Sequence, residues 1–251
     1  MAKLNLLTYA NAPFEQAQRM IVAEAAAFPF DYLRAVREKD LAGSDFWRTH
    51  GDFIKSHPRG GGYWLWKSYL VMLTLDNMAD GDILVYADSG CKLNAANLPR
   101  FAEYVAAVAA HPSGVLAFEM GFLQRHWTKR ATIEALERRG PVDLEAGQLV
   151  ATCFMLRAGP ETRALASAWY EICSDYNLLD DSPSRDASGA VLPEDPTFRE
   201  HRHDQAIWSM LVRQYRVPIE NDAKDPQFIG ALLFPDETVR PIGPIIAARR
   251  R

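Results

Sequence analysis

Short apolar runs alternate along this chain with longer segments in which apolar residues recur every three or four positions. An unbroken apolar run of about four to eight residues is typical of a buried strand, and the wider spacing is typical of a helix packed on one side. The predicted strands cover residues 4–9, 83–87, 114–119 and 149–156. The predicted helices cover residues 14–27, a segment with Trp66, Tyr69, Leu70 and Leu73 on its packed face, and residues 98–110, 127–138, 161–174 and 203–215.

This alternation of strands and helices predicts an α/β fold in which helices cover both faces of one sheet. The sequence holds no internal repeat and no linker-like stretch, so we expect a single domain over residues 1–251. Residues 178–200 are rich in Asp, Ser and Pro, and they are predicted to form a mobile loop. This loop either closes over a ligand or is a plain surface insertion. Residues 216–251 are predicted to form an irregular tail.

The overall composition narrows the class of protein. Hydrophobic residues make up 48% and charged residues 24% of the chain, as in globular rather than disordered proteins. The net charge of −4 argues against nucleic acid as a partner, because such a partner requires a basic surface. A small molecule or a neutral polymer is compatible with this charge. The composition leaves the oligomeric state open.

The cysteines and the longest apolar stretches predict a cytoplasmic protein. Cys91, Cys153 and Cys173 are odd in number and lack a CxxC spacing, as expected for reduced thiols rather than disulfides or a zinc site. No apolar stretch reaches the length of a membrane span, and the N-terminal run is predicted to be a strand rather than a signal peptide. Residues 245–251, which end in three arginines, either touch an anionic membrane surface weakly or form a solvated tail.

Asp88 directly follows the predicted strand 83–87. Ligands of open α/β sheets bind beyond the carboxyl ends of strands, so the carboxylate of Asp88 is expected at the ligand-binding edge. A carboxylate there can hold Mg²⁺ or Mn²⁺, and Gly90 lets the backbone pass close to a ligand. The alternative is an ordinary aspartate that begins a turn after a strand.

Three glycines and three aromatic residues stand together in residues 59–67, which we call the glycine-aromatic motif; its sequence is RGGGYWLWK. Arg59 and Lys67 can neutralise a diphosphate, the glycines can offer backbone N–H groups, and the aromatic rings can stack on a base or a sugar. The motif matches neither GxGxxG nor GxxxxGK[ST]. Taken alone, such a cluster is also typical of a helix start packed in the core.

Together these motifs resemble bacterial glycosyltransferase-like proteins with the GT-A fold of nucleotide-diphospho-sugar transferases. The resemblance covers the chain from about residue 4 to residue 215. It implies a single GT-A-like, Rossmann-type domain with a mixed, mostly parallel sheet. The segments that carry it, in order, are residues 59–67, residues 80–91, Trp127-Thr128-Lys129, Gln148 before a strand, Trp169 in a helix, and His201-Arg202-His203-Asp204-Gln205.

The resemblance implies transfer of a sugar from a UDP- or GDP-sugar donor to a glycan or small-molecule acceptor, assisted by Mn²⁺ or Mg²⁺. The metal motif of such proteins is usually Asp-x-Asp, whereas Asp88-Ser89-Gly90 has only the first acid. A second metal ligand must therefore come from elsewhere or from water. Ser68 also stands where proline is expected in this family, a difference without chemical consequence.

Three further residues are candidates for catalysis or metal binding. Asp204, at the start of the last predicted helix, is either the general base that deprotonates the acceptor or a helix cap. His203, or His201 beside it, either completes the metal shell or is solvated. Glu119 ends a predicted strand and is either an acceptor-orienting acid or base, or an ordinary strand-end acid.

The predicted donor site includes three residues outside the glycine-aromatic motif and outside residues 80–91. Lys129 either neutralises the leaving diphosphate or is a surface lysine. Gln148 and Tyr9 are predicted to border the donor pocket, with Tyr9 near the base. The full predicted donor-binding set is Tyr9, Arg59, Gly62, Tyr63, Trp66, Lys67, Asp88, Ser89, Gly90, Lys129 and Gln148, and the predicted metal ligands are Asp88 and His203.

Two other classes of function remain open from the sequence. An S-adenosylmethionine-dependent methyltransferase would share the strand-end acid and a glycine-rich loop, but here no clear first strand leads directly into that loop. A protein that binds a nucleotide-sugar without turnover would explain the missing second acid at position 90.

Overall fold

The computed structural model describes residues 2–214, 232–235 and 243–250, and the backbone alone at 232–235. The strands in these ranges are β1 (Leu4–Ala10), β2 (Tyr32–Arg37), β3 (Ile83–Ala87), β4 (Lys92–Leu93), β5 (Val115–Leu123), β6 (Gly147–Leu149), β7 (Cys153–Arg157), β8 (Leu232–Pro235) and β9 (Ile245–Ile246). The helices are α1 (Glu15–Ala25), α2 (Glu38–Leu41), α3 (Asp45–Ser56), α4 (Gly60–Tyr63), α5 (Leu65–Asp76), α6 (Leu98–Ala110), α7 (Gln124–Trp127), α8 (Arg130–Glu137), α9 (Pro160–Cys173), α10 (Tyr176–Leu179) and α11 (His203–Gln214).

One mixed sheet organises the described residues. Its strands follow the order β2-β1-β3-β7-β5-β6, and β8 also pairs with β5. β1 is parallel to β2 and β3, β8 is parallel to β5, and β7 is antiparallel to both β3 and β5. β6 is antiparallel to β5. Five strands therefore run in one direction and β6 and β7 in the other, which confirms the predicted mixed, mostly parallel sheet.

Helices cover both faces of this sheet, as the alternation of elements predicts. Successive side chains of a strand point to opposite faces, and in β3 Leu84 and Tyr86 belong to one buried cluster whereas Val85 and Ala87 belong to the other. The first cluster includes side chains of α5, α9 and α11, and the second includes side chains of α1 and α6. All five residues of β3 are buried because both faces are covered.

Several predicted elements are found with small or no shifts in their bounds. The strand 83–87 and the helix 98–110 coincide with β3 and α6. The predicted strand 149–156 is wrong as one unit, because residues 150–152 leave the ladder between β6 and β7. The edge strand β2 and its exposed residues were not predicted, since their pattern lacks a buried face. In α5, Leu73 is exposed rather than packed, because the buried face passes through Lys67, Leu70 and Val71.

The polar segment 178–200 is attached to the helices beside it. The hydroxyl of Ser184 accepts a hydrogen bond of 3.1 Å from the backbone of Ala131, and Arg199 donates its backbone N–H to His126 at 2.9 Å. Arg185 and Val191 form an antiparallel bridge within the segment. These bonds fix several points of the segment in this conformation. Its mobility and its closure over a ligand stay predictions.

Two short strands lie within residues 216–251, which are predicted to form an irregular tail, and the last described residues pack against the body of the protein. β8 extends the sheet beside β5, and β9 pairs with β4. Ile245 is buried, and Arg250 donates to both carboxylate oxygens of Glu24, at 2.6 and 2.9 Å. Such short pairings depend on distant partners, so the local sequence pattern gave no signal for them. The predicted tail residues 216–231 and 236–242 lie outside the described residues, as does Arg251.

The predicted absence of a membrane span can be compared with the helices themselves. In the parts of the chain that the structure describes, every helix is too short or too polar to cross a bilayer.

The pairing of Glu24 with Arg250 gives a test of how this C-terminal segment is held. Burial by itself would raise the pKa of Glu24, but hydrogen bonds from Arg250 and from the backbone of Leu93 outweigh it and lower the pKa. The charged form is therefore stabilised by folding. We expect Glu24→Gln to lower the free energy of unfolding at pH 7 by about 1–2 kcal/mol, measured by urea denaturation.

The sign of the pH dependence follows from the lowered pKa. The contribution of Glu24 is complete above its unfolded pKa of 4.5 and is lost as the pH falls through the lower folded value. The difference between wild type and Glu24→Gln should therefore shrink in acid. Glu171→Gln is the control, since Glu171 pairs with Arg139 on the exposed surface. An equal effect of the two substitutions would contradict the anchoring role.

Candidate functional site

A cleft of about 870 Å³ opens at the ends of β1, β3 and β5, where parallel strands of the sheet finish. This is the edge at which open α/β sheets bind ligands. The residues that line it and were predicted as site residues are Tyr9, Arg59, Trp66, Lys67, Asp88, Ser89, Gly90, Gln148, His203 and Asp204. Segments far apart in the sequence therefore meet in one cleft.

The glycine-aromatic motif begins with a left-handed turn. The φ angles of Gly60, Gly61, Gly62, Tyr63 and Trp64 are all positive, between 52° and 80°. Left-handed geometry disfavours side chains by roughly 1–2 kcal/mol per residue, which is why glycines occupy three of the five positions. At Gly62 a Cβ would also lie 2.7 Å from the side chain of Ile54. The turn places Trp64 in the cleft wall just before α5 begins.

The backbone N–H groups of this turn are already bonded within it. Gly61 donates to Pro58 at 3.1 Å, Gly62 donates to His57 at 2.8 Å, and Tyr63 donates to Arg59 at 2.8 Å. The expectation that these glycines offer N–H groups to an anion is therefore wrong for Gly61 and Gly62. Gly62 and Tyr63 also lie outside the cleft lining, and the ring of Tyr63 packs 4.6 Å from that of His203.

An aromatic wall forms the β1 side of the cleft. The rings of Tyr9 and Trp66 stack at 3.8 Å, and the indole N–H of Trp66 donates to the carbonyl of Gly60 at 2.9 Å. The left-handed turn thus fixes the ring of Trp66, and Trp66 fixes Tyr9. Trp64 lies on the same side and is only partly buried. Tyr9 and Trp66 are buried, so Trp64 presents most of the aromatic surface of this wall to the cleft.

Lys67 lines the cleft, and its ammonium is buried between two carboxylates. Its Nζ lies 3.3 Å from Oδ1 of Asp88 and 3.1 Å from Oδ2 of Asp204, and it donates to the carbonyl of Ala151 at 3.1 Å. Lys67 is 2% exposed. It projects from the buried face of α5, so the packing of that helix on the sheet aims the amine at the end of β3.

The two carboxylates differ in their surroundings. Asp88 is partly exposed, and its Oδ1 also accepts a hydrogen bond of 2.5 Å from the hydroxyl of Tyr86. Asp204 is almost fully buried, and apart from the ion pair its Oδ2 has no hydrogen-bond partner among the described residues. The backbone carbonyl of Asp204 accepts from the indole of Trp169 at 3.0 Å, which fixes the first turn of α11.

Burial and charge act in opposite directions on the pKa values of Asp204 and Lys67. Burial raises the pKa of Asp204 to about 6, even though Lys67 lowers it. Burial alone would lower the pKa of Lys67, but Asp204 and Asp88 outweigh that and raise it, so the ammonium stays protonated at neutral pH. Burial, and then the charge of Asp88, raises the pKa of the Tyr86 hydroxyl well above its ordinary value.

His203 lies in the cleft but faces other partners than Asp88. Its Nδ1 lies 2.8 Å from the carbonyl of Leu179 and therefore carries the proton, which leaves the lone pair on Nε2, 3.6 Å from Asp181. Burial lowers the pKa of His203 to about 4, so the ring is neutral at pH 7. The predicted pair of metal ligands, Asp88 and His203, is thus directed to different neighbours.

The described side chains do not fit a divalent ion held by protein ligands. In residues 2–214 and 243–250, no three His, Cys, Asp or Glu side chains are grouped as metal ligands would be. The position between the carboxylates of Asp88 and Asp204 is taken by the ammonium of Lys67. The requirement for Mn²⁺ or Mg²⁺ stays a prediction from the resemblance.

Besides Gly62 and Tyr63, two more predicted site residues, Lys129 and Glu119, lie outside the cleft lining. Lys129 was expected to face a diphosphate, but its buried ammonium donates to Asp180 and to the carbonyl of Ser182 at 3.0–3.1 Å. It holds the beginning of segment 178–200 in place. Glu119 was expected at a strand end, but β5 continues to Leu123 and Glu119 pairs with Arg213 at 2.6 Å. Both placements depend on partners that are distant along the chain, and a local sequence pattern does not indicate such contacts.

Arg59 and Gln148 lie in the cleft lining with their polar atoms already partnered. Arg59 pairs with Asp181 at 3.0 Å and also with Glu200. The amide oxygen of Gln148 accepts from Gln205 at 2.9 Å. The first contact ties the glycine-aromatic motif to segment 178–200, and the second ties β6 to α11. Both residues therefore shape the cleft as well as line it.

The cleft also contains residues that sequence reasoning missed. Arg249 and Arg250 of the C-terminal segment line it, and Arg249 is exposed with a φ of 52°. Their basic run was visible in the sequence, but nothing local indicated that it returns to the strand ends. On the β5 side, the exposed ring of Phe122 lies 5.6 Å from that of Trp127, and the guanidinium of Arg202 lies 4.3 Å above Trp127. Trp127 and Arg202 belong to segments that carried the resemblance.

The buried ion cluster predicts a large loss of stability when its cation is removed. Lys67→Met leaves two carboxylates without their shared counter-ion, and we expect the free energy of unfolding to fall by about 3 kcal/mol or more. Denaturation in urea measures the change. Lys55→Met is the matched control, since Lys55 is exposed and pairs with exposed Asp52, so about 1 kcal/mol or less is expected. Adding Asp204→Asn to Lys67→Met should restore part of the loss, and no restoration would contradict the charge argument.

Comparisons with known proteins leave the family of this chain open. No protein-family model matches it, and no curated protein sequence matches it. Among solved structures, a glycosyltransferase involved in the glycosylation of the major capsid of PBCV-1 aligns at 7% identity and a TM-score of 0.36, covering 68% of this chain and 66% of that one, just under two thirds. Mouse xyloside xylosyltransferase 1, in its apo form, aligns at 12% identity and a TM-score of 0.39, covering 84% and 81%. Similarities of this size carry no argument about the chemistry of the cleft.

Proposed function

We propose that this protein is a glycosyltransferase that binds a nucleoside-diphosphate sugar in the cleft and transfers the sugar to a hydroxyl group of a glycan or small-molecule acceptor. The observation that carries the proposal is the convergence in one cleft of the aromatic wall, exposed cationic side chains and the carboxylates of Asp88 and Asp204. The resemblance of the motifs in order along the chain supports the same function.

The donor is proposed to lie along the β1 side of the cleft. The aromatic wall of Tyr9, Trp64 and Trp66 provides an apolar surface for the planar base. The diphosphate requires cations, and Arg249 is the exposed arginine that lines the cleft from the C-terminal segment. Lys67 is not free for this role, because its three N–H groups are directed to Asp88, Asp204 and Ala151.

The acceptor is proposed to lie on the β5 side. β1 and β5 are separated by β3 and β7 in the sheet, a distance of about 14 Å at the usual strand spacing. Asp88 follows β3 and therefore lies between the two sides. Phe122 and Trp127 form an aromatic surface on the β5 side, suited to the apolar face of a sugar ring.

The transfer itself is proposed to be a displacement at C1 of the donor sugar. The acceptor oxygen forms a bond to C1, the bond from C1 to the phosphate oxygen breaks, and the nucleoside diphosphate leaves with that electron pair. The acceptor proton passes to the carboxylate of Asp204, whose pKa of about 6 suits a base near neutral pH. Asp88, held by Lys67 and Tyr86, orients the donor sugar through its exposed carboxylate edge.

Ligand binding tests the class of ligand. We expect calorimetry to detect binding of UDP or GDP. Arg249→Gln should raise the Kd of that nucleotide about tenfold, because one charged hydrogen bond to phosphate is lost, and should leave the Kd of the matching nucleoside unchanged. Arg139→Gln, at an exposed arginine outside the cleft lining, is the control. Binding of S-adenosylmethionine in place of every nucleoside diphosphate would overturn the proposal in favour of a methyltransferase.

Release of the nucleoside diphosphate from a sugar donor, with a panel of glycosides as acceptors, tests the reaction. We expect Asp204→Asn to lower kcat about 10²–10³-fold with little change in donor Kd, because the proton acceptor is lost. The melting temperature of the variant shows whether the fold is kept. An unchanged kcat would remove Asp204 as the base. Donor binding without release for any acceptor would favour a binding protein without turnover.

A further inference from the structure

The cleft already contains a cation at the position where two carboxylates converge. The Lys67 ammonium lies 3.3 Å from Asp88 and 3.1 Å from Asp204, and Lys67 is buried. We propose that Lys67 is the resident cation of this site and takes the place of a divalent metal ion, so that the protein binds its donor without Mn²⁺ or Mg²⁺. This inference rests on the proposed function of the cleft as a donor site.

The geometry of Lys67 fits a fixed counter-ion rather than a side chain that follows a ligand. An ammonium has three N–H donors, and three acceptors surround this one: Asp88, Asp204 and the carbonyl of Ala151 at 3.1 Å. Turning toward a phosphate would break at least one of these contacts inside the protein. Lys67 therefore acts as a positioning residue that holds the two carboxylates in a defined arrangement.

The same arrangement occupies one oxygen of each carboxylate. Mn²⁺ and Mg²⁺ require ionised oxygen ligands, but Oδ1 of Asp88 already accepts from Tyr86 at 2.5 Å and faces Lys67. Oδ2 of Asp204 faces the same ammonium inside the protein. A divalent ion bound by both carboxylates would have to displace Lys67 or lie beside its like charge, which a buried site disfavours.

A resident cation at Lys67 also fits the departure from the Asp-x-Asp motif. Asp88-Ser89-Gly90 lacks the second acid, and a Cβ at Gly90 would lie 3.1 Å from the carbonyl oxygen of Arg250, so the C-terminal segment would have to shift by a few tenths of an ångström to admit a side chain. The C-terminal segment thus packs closely against the position at which a second acidic side chain would begin. The same segment brings Arg249 to the cleft, where its charge can meet the diphosphate directly.

Titration of the full-length protein with Mn²⁺ alone, followed by the electron paramagnetic resonance signal of the free ion, tests the proposal. We expect wild type to show no Mn²⁺ site tighter than about 1 mM that depends on Asp88. We expect Lys67→Gln, if it folds, to acquire such a site, because the two carboxylates are then free. Stoichiometric Mn²⁺ binding by the wild type that Asp88→Asn abolishes would overturn the proposal.

Nucleotide binding separates this inference from the proposed function. Calorimetry of wild type with UDP and GDP, in EDTA and in Mn²⁺, should give the same Kd in both buffers. A Kd that improves tenfold or more with Mn²⁺, beyond the affinity of the nucleotide itself for the ion, would overturn the resident-cation role while supporting the donor site. Absence of nucleotide binding in both buffers would refute the donor site, and the Mn²⁺ titration would still decide whether the carboxylates bind a metal.

Discussion

The ion cluster of Lys67, Asp88 and Asp204 is the interaction around which the cleft is built. A buried ammonium is tolerated only when opposite charges and hydrogen-bond acceptors surround it, and here the three members of the cluster come from three elements. Lys67 belongs to α5, Asp88 follows β3, and Asp204 begins α11. The cluster therefore fixes two helices relative to the strand end at which a ligand is expected. Loss of Lys67 would leave two carboxylates without their counter-ion inside the protein.

Two neighbouring features are connected to α5: the left-handed turn that precedes it and the aromatic wall. The left-handed turn of residues 60–64 precedes it and sets the direction in which it leaves the cleft wall. Non-glycine residues in this conformation carry strain, which persists where the surroundings hold it and often accompanies function. At the turn's end, Trp66 bonds to Gly60 and stacks on Tyr9. The strained turn, the aromatic wall and the buried amine of Lys67 are thus linked to one another through α5.

Two segments that are distant in sequence from α5 also contribute to the cleft. Arg250 and Glu24 pair across 226 positions of the chain, and this pair brings the C-terminal segment against Gly90. Arg59 connects the glycine-aromatic motif to Asp181 and Glu200 of segment 178–200. Charged pairs therefore tie both the C-terminal segment and segment 178–200 to the cleft, in addition to the apolar core that supports the sheet.

The sequence by itself determined the alternation of strands and helices, the burial of β3 on both faces and the position of Asp88 after that strand, because these depend on local side-chain periodicity. It also singled out Lys67 and Asp204, but not their contact. Only the tertiary structure decided that Lys67 faces two carboxylates, that Lys129 and Glu119 lie away from the cleft, and that Arg249 enters it. The reason is physical: these outcomes depend on how distant segments pack, and local patterns carry no information about which charges then become neighbours.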